Sequence, residues 1–162
     1  MTDRELRGAL GRFATGVCLI TVNDEQSGQL ALTANSFSSV SLDPPLVLWS
    51  IQNSSECYRE YTDCAYFGIS VLAAEHEALS NRYAKKGNHA IDSDSFAVDD
   101  QGVPLLSNAL ANFSCAIHSV IDAGDHQIII GRVMDFMVND GAPLLFFGGQ
   151  YDRLLSVGHA ES

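Results

Sequence analysis

Hydroxyl and amide side chains crowd one stretch of this chain. Thr33, Asn35, Ser36, Ser38, Ser39 and Ser41, with Ala34 among them, stand just upstream of Asp43-Pro44-Pro45. A second set, Ser50, Asn53, Ser54 and Ser55, sits at the end of the apolar run at 46–51 and beyond it, with Ile51 in their midst. Such groups, with backbone N–H, orient a polar ring or a phosphate by directional hydrogen bonds and without formal charge. The same residues equally suit a polar edge strand with a serine-rich turn. Residue types alone leave both readings open.

Positive charge is concentrated elsewhere. Arg82-Tyr83-Ala84-Lys85-Lys86 holds both lysines of the chain and three of its nine basic residues, against a net charge of −11. A field of that sign repels nucleic acid and anionic membrane surfaces, so neither is an expected partner. It also repels a phosphorylated ligand at long range, so such a ligand needs short-range donors and a local cation. Arg82 with Lys85 or Lys86 supplies one; a solvated helix end, with cations favourable near its C-terminus, is the competing reading. A helix starting after Ser54 or Ser55 would add free N–H groups for an anion, although plain capping needs no ligand. His126 could serve as a proton donor or acceptor, but a lone histidine at a strand start is by default a structural hydrogen-bonding group. For Tyr151 the default is aromatic packing. Cys18, Cys57, Cys64 and Cys115 form no CxxC pair and no metal-ligand spacing. They read as free thiols, buried at Cys18 and Cys115, and no metal is expected.

The elements that position these residues are mostly strands. Thr2-x-x-Glu5 is a capping box, with Leu6, Leu10 and Phe13 at helical spacing, which predicts an amphipathic helix over about 3–13. β-Branched and apolar runs predict strands at 17–22, 29–33, 46–51, 66–72, 111–121 and 126–138, the last interrupted by Gly131 as at a bulge. Asp43-Pro44-Pro45 forces a turn. A helix is expected over 73–84, and 143–151 closes the set. The polar, acidic segment at 87–107 reads as a long functional or partly mobile loop. Many short strands, few helices and no βαβ rhythm predict a mainly β chain, an antiparallel β-barrel with flanking helices. One domain is expected over 1–162. No apolar run approaches the roughly 20 residues of a membrane span. A charged N-terminus with no apolar secretory segment behind it places the protein in the cytoplasm.

Four blocks then occur in order: Phe13-Ala14-Thr15-Gly16-Val17; Thr33-Ala34-Asn35-Ser36-Phe37-x-Ser39-Val40-Ser41-Leu42-Asp43-Pro44-Pro45; Gly124-Asp125-His126-x-Ile128-Ile129-Ile130-Gly131-Arg132-Val133; and Pro143-Leu144-Leu145-Phe146-Phe147. Together they resemble the short-chain flavin reductase family. The resemblance implies an antiparallel Greek-key FMN-binding split barrel, usually a homodimer. It also implies reduction of FMN or FAD by NADH or NADPH, with reduced flavin passed by diffusion to a monooxygenase component. By the same resemblance, Thr33, Ala34, Asn35, Ser36 and Ser39 border the flavin ring and ribityl chain. Ser50, Ile51, Asn53, Ser54 and Ser55 reach toward the phosphate, which Arg82 and Lys85 or Lys86 meet. His126 then lies by the nicotinamide as the catalytic residue, Tyr151 closes the pocket, and the 87–107 segment is a candidate cover. The chain has no G-x-G-x-x-G fingerprint, and this family expects none.

The chemistry asks little of acids and bases, because the cofactors carry the hydride step and the protein stacks two rings and favours charge on the reduced one. Two other classes fit the same barrel. A non-enzymatic electron carrier would hold its flavin through purification. An oxidase of a phosphorylated amine would want a second phosphate site, for which basic residues are scarce.

Overall fold

The computed structural model describes residues 1–155. The domain span expected over 1–162 therefore runs, at 156–162, outside the described residues. Its largest element is a seven-stranded antiparallel sheet in the order β3-β2-β6-β9-β10-β5-β4. The strands are β2 Cys18–Asp24, β3 Gly28–Ala34, β4 Ser38–Leu42, β5 Pro45–Gln52, β6 Tyr66–Val71, β9 Ala111–Ala123 and β10 His126–Val138. A smaller sheet joins β1 Thr15–Gly16, β11 Leu144–Phe147 and β12 Gln150–Arg153.

The strand order contains a geometric constraint. β3 and β4 are the two edges of the large sheet, yet only Asn35, Ser36 and Phe37 join them in the chain. A flat sheet of seven strands holds its edges about 29 Å apart. Three linking residues reach no more than about 14 Å between the strand ends. The sheet must therefore curl until its edges nearly meet, leaving a seam at the serine-rich stretch. This is the antiparallel barrel expected from the sequence, left unclosed on one side.

Two cores fill the interior. Cys18, Ile20 and Val22 project from one face of β2 into a cluster with Trp49, Ile51, Tyr61, Phe67, Ile69 and Ile129. Leu19 projects from the other face into a second cluster with Val17, Leu72, Tyr83, Leu106 and Leu144. A strand buried on both sides carries a nearly continuous apolar run, as β2 does. On β5, Val47, Trp49 and Ile51 alternate inward, at the period of a half-buried strand. Gly131 marks a register shift between β9 and β10, as its place in a β-branched run predicts. A Cβ there would strike the Phe67 ring and lie 3.1 Å from the Cys115 Cβ.

The helices depart from expectation in informative ways. α1, Asp3–Leu10, has its capping box, Thr2 Oγ1 accepting from the Glu5 N–H at 3.2 Å. It stops before Phe13 and buries no residue; Leu10 and Phe13 are 64% and 80% exposed. α2, Tyr58–Thr62, has five residues and no side-chain cap, because the Ser55 hydroxyl accepts from the Cys57 N–H, short of the first helical turn. So brief a helix offers little anion site, which corrects the capping role given to Ser54 and Ser55. Tyr61 ties α2 to β2 through a 2.7 Å hydrogen bond to the Ile20 carbonyl. The helix expected over 73–84 is a 3-10 turn, Ala74–His76, followed by α3, Glu77–Tyr83.

The 87–107 segment is not a loose loop. It contains a hairpin of β7 Phe96–Val98 and β8 Pro104–Leu106, and it buries Val103 and Leu106. Its start is stitched to β3, with Ala31 donating to the His89 carbonyl and Ile91 to the Gln29 carbonyl, each at 2.9 Å. No helix among the described residues is long and apolar enough to cross a membrane.

Gly131→Ala should lower stability by about 1–3 kcal/mol through overpacking against Phe67, read as a fall in the denaturation midpoint. Gly8→Ala, in a helix that buries nothing and with no atom within 4 Å of the added Cβ, should not lower the midpoint and should raise it slightly through helix propensity.

Candidate functional site

A groove of about 380 Å³ runs along the seam. Leu32, Thr33, Ala34, Asn35 and Ser36 form one wall as the chain leaves β3. Trp49, Ser50, Ile51 and Gln52 of β5 form the floor and opposite wall. Ser54, Ser55, Glu56, Ala84, Lys86, His89 and His126 complete the lining. Ten of the residues singled out in the sequence, Lys86 among them, thus meet in one place, from Thr33 to His126.

One hydroxyl explains why the seam stays open. β4 pairs with β5 up to Ser38 opposite Leu48, so residue 36 would form the next rung, opposite Ser50. The Ser36 side chain takes that place instead. Its Oγ accepts from the Ser50 N–H at 2.9 Å and donates to the Ser50 carbonyl at 3.2 Å. β5 keeps its hydrogen bonds, while the main chain at 34–37 leaves the ladder and borders the groove. Thr33 is likewise engaged, donating to the Ser80 carbonyl at 2.7 Å and fixing α3 against β3. Asn35 and Ser54 have no side-chain partner among the described residues and are free to meet a ligand.

The groove's electrostatics are sparse. Lys86 is the one lysine or arginine among the lining residues. At His126 the ring Nδ1 lies 2.6 Å from Asp125 Oδ1, which fixes the tautomer and leaves Nε2 without a protein partner among the described residues. Hydrogen bonding to His126 holds the Asp125 carboxyl below its ordinary value. The thiols play no part: burial pushes Cys18 and Cys115 up to about 12. Uncharged donors along the walls, one cation at the end and one oriented imidazole suit a polar planar ring with an anionic tail.

Five expected site residues lie outside the groove. Ser39 is on β4, beyond the seam. The Asn53 amide donates to the Gly124 carbonyl at 3.3 Å and braces the β9–β10 turn. Arg82 pairs with Asp92 at 2.8 Å and donates to the Ala90 carbonyl at 3.2 Å. Lys85 is not among the lining residues, and Lys86 takes the place offered to either. Tyr151 shares a 2.6 Å hydrogen bond with Ser80, behind the β3 wall. In turn, Leu32, Trp49, Gln52, Glu56, Ala84 and His89 line the groove without having been anticipated. Glu56 adjoins Ser54-Ser55 and could have been found by continuing that segment; His89 carried no local signal.

A larger groove of about 600 Å³ lies between the β7–β8 hairpin and the far end of β10. Its lining includes Asp99, Asp100 and Asp135 but no histidine or cation, so its chemistry does not converge.

Comparison with known proteins agrees with this geometry. Residues 10–155 match the family described as "Flavin reductase like domain". The FMN reductase (NADH) of Agrobacterium fabrum is 43% identical over 93% of this chain and 86% of its own length. The reductase component of the flavin-dependent trigonelline monooxygenase of Acinetobacter baylyi is 40% identical over 91% of this chain, which spans only 48% of that longer protein. Among solved structures, the NADH:FAD oxidoreductase of Streptomyces globisporus, in complex with NAD and FAD fragments, superposes with a TM-score of 0.90. It is 34% identical, over 96% of this chain and 95% of its own.

Ser36→Ala should strand both Ser50 backbone groups and destabilise the fold by about 1–2 kcal/mol, measured by denaturant titration. The Asp125 carboxyl should titrate below the ordinary aspartate range of about 3.9. Its contribution to stability is then present at neutral pH and lost as pH falls below that range. Carboxyl-resolved NMR titration checks this, and His126→Ala should bring the midpoint back up.

Proposed function

Given that the chain belongs to the flavin reductase like domain family, we propose that it is an NADH-dependent flavin reductase supplying reduced FMN or FAD to a partner monooxygenase. The observation that carries this reading is the seam groove, where uncharged donors and a single lysine gather beside an oriented imidazole with one side open. Bound flavin supplies N5 as the acceptor of the hydride released from nicotinamide C4. Asn35 and the main chain at 34–37, released from the ladder by Ser36, provide the donors that favour negative charge at the ring's N1–O2 edge. Ser54, Ser55 and Lys86 hold the phosphate end. His126, oriented by Asp125, leaves Nε2 free and would offer it to the nicotinamide carboxamide.

The grip is weak by construction. One exposed lysine in a chain of net charge −11 offers little to retain a phosphorylated molecule. That suits a flavin which arrives oxidised, leaves reduced and reaches a monooxygenase by diffusion. The same surplus of negative charge disfavours the additional phosphate of NADPH. A homodimer belongs to this reading as well: Met134, Phe136, Met137 and Val138, all on the outer half of β10, are 45–71% exposed and give a second subunit an apolar strip.

A two-by-two assay of FMN or FAD with NADH or NADPH tests the proposal. Purified protein should consume NADH catalytically with added flavin, and NADPH much more slowly. Absence of turnover in all four combinations would overturn it. Asn35→Ala should raise the KM for flavin about fivefold to tenfold, the scale of one hydrogen bond. His126→Ala should act on kcat/KM for NADH and leave flavin affinity near wild type.

A further inference from the structure

Lys86 is exposed and follows the end of α3 in a segment with no regular structure, so its place at the groove depends on how the turn at 86–89 is fixed. The carboxylate of Glu56 fixes that turn. Its Oε1 accepts from the Gly87 N–H, the residue next to Lys86, at 2.5 Å. The same oxygen lies 2.9 Å from His89 Nε2. His89 is buried, at 7% exposure. Its Nδ1 lies 3.0 Å from the Ala31 carbonyl, which can only accept, so that nitrogen carries a hydrogen and donates. The His89 carbonyl in turn accepts from the Ala31 N–H at 2.9 Å. Between these anchors Gly87 turns the chain at φ +80, where a side chain would be strained.

We propose that Glu56, acting with His89, is a positioning residue for phosphorylated flavins: it fixes the turn at 86–89 so that Lys86 meets the flavin phosphate. The inference rests on the flavin reductase reading and adds a residue to it. Glu56 sets the affinity for FMN through Lys86 and takes no part in hydride transfer. Riboflavin has the same ring and ribityl chain and no phosphate, so its binding does not depend on the latch.

The test compares wild type, Glu56→Gln, Lys86→Ala and the double variant, with FMN and riboflavin at saturating NADH. Direct binding of each flavin is followed by fluorescence quenching, and melting is monitored to confirm folding. Glu56→Gln should raise the KM and the dissociation constant for FMN about fivefold, the scale of one exposed ion pair. The kcat and the riboflavin constants should stay within about twofold. In the Lys86→Ala background Glu56→Gln should add nothing further, the signature of two residues acting as one unit. Glu56→Asp, which keeps the charge on a shorter arm, should fall between. Equal weakening for riboflavin, multiplying effects in the double variant, or tighter FMN binding in Glu56→Gln each overturns the latch. Wild-type protein that binds neither flavin overturns the parent reading and the latch together. Wild-type protein that reduces FMN with constants Glu56→Gln leaves unchanged overturns the latch alone.

Discussion

The distance that three residues can span governs this molecule. Asn35, Ser36 and Phe37 must bridge the two edges of a seven-stranded sheet, and only a curled sheet brings those edges within reach. Curling creates an interior that Trp49, Tyr61, Phe67 and the isoleucines of four strands fill, and it leaves one line where backbone pairing stops. A sheet edge without partners is costly when buried and reactive when exposed, so the polar side chains of the linking segment are a structural necessity. The groove is what remains of the seam after those needs are met. Ligand chemistry is thus placed by topology before any residue is chosen for it.

Much of this was legible in the sequence, because strands are written in side-chain type and period. The β-branched runs gave β2, β5, β6, β9 and β10 with small errors at the ends, and Gly131 announced its bulge. The polar stretch at 33–36 stands out in the sequence, and the structure brings it into one groove with Ser50, Ile51, Ser54 and Ser55. The failures have physical causes. The apolar positions of α1 have the spacing of a buried face, yet nothing among the described residues covers them. The hairpin at 96–106 rests on Val103 and Leu106, two anchors in acidic sequence that period alone does not detect. Arg82 is suggested by the clustering of basic residues and Tyr151 by the resemblance, but Asp92 pairs with the first and Ser80 with the second. Glu56 and His89, 33 positions apart, touch only because β3 carries the second to the first.

Electrostatics and redox chemistry are kept apart in the structure. The chain is strongly acidic, its site is nearly uncharged, and its four cysteines are free. Burial keeps the Cys18 and Cys115 thiols protonated at neutral pH. A protonated thiol is a poor nucleophile toward the peroxide that forms when reduced flavin meets oxygen. Apolar packing around these sulfurs therefore serves chemical durability as well as stability.

The side chain of Ser36 has one more consequence. By occupying both backbone groups of Ser50, it removes the rung on which an intruding strand from another molecule would begin to zip. An unzipped barrel is ordinarily an invitation to intermolecular β-sheet growth and fibril formation. Here the gap gives an incoming polypeptide no foothold at Ser50, so an open seam need not be a seed for aggregation.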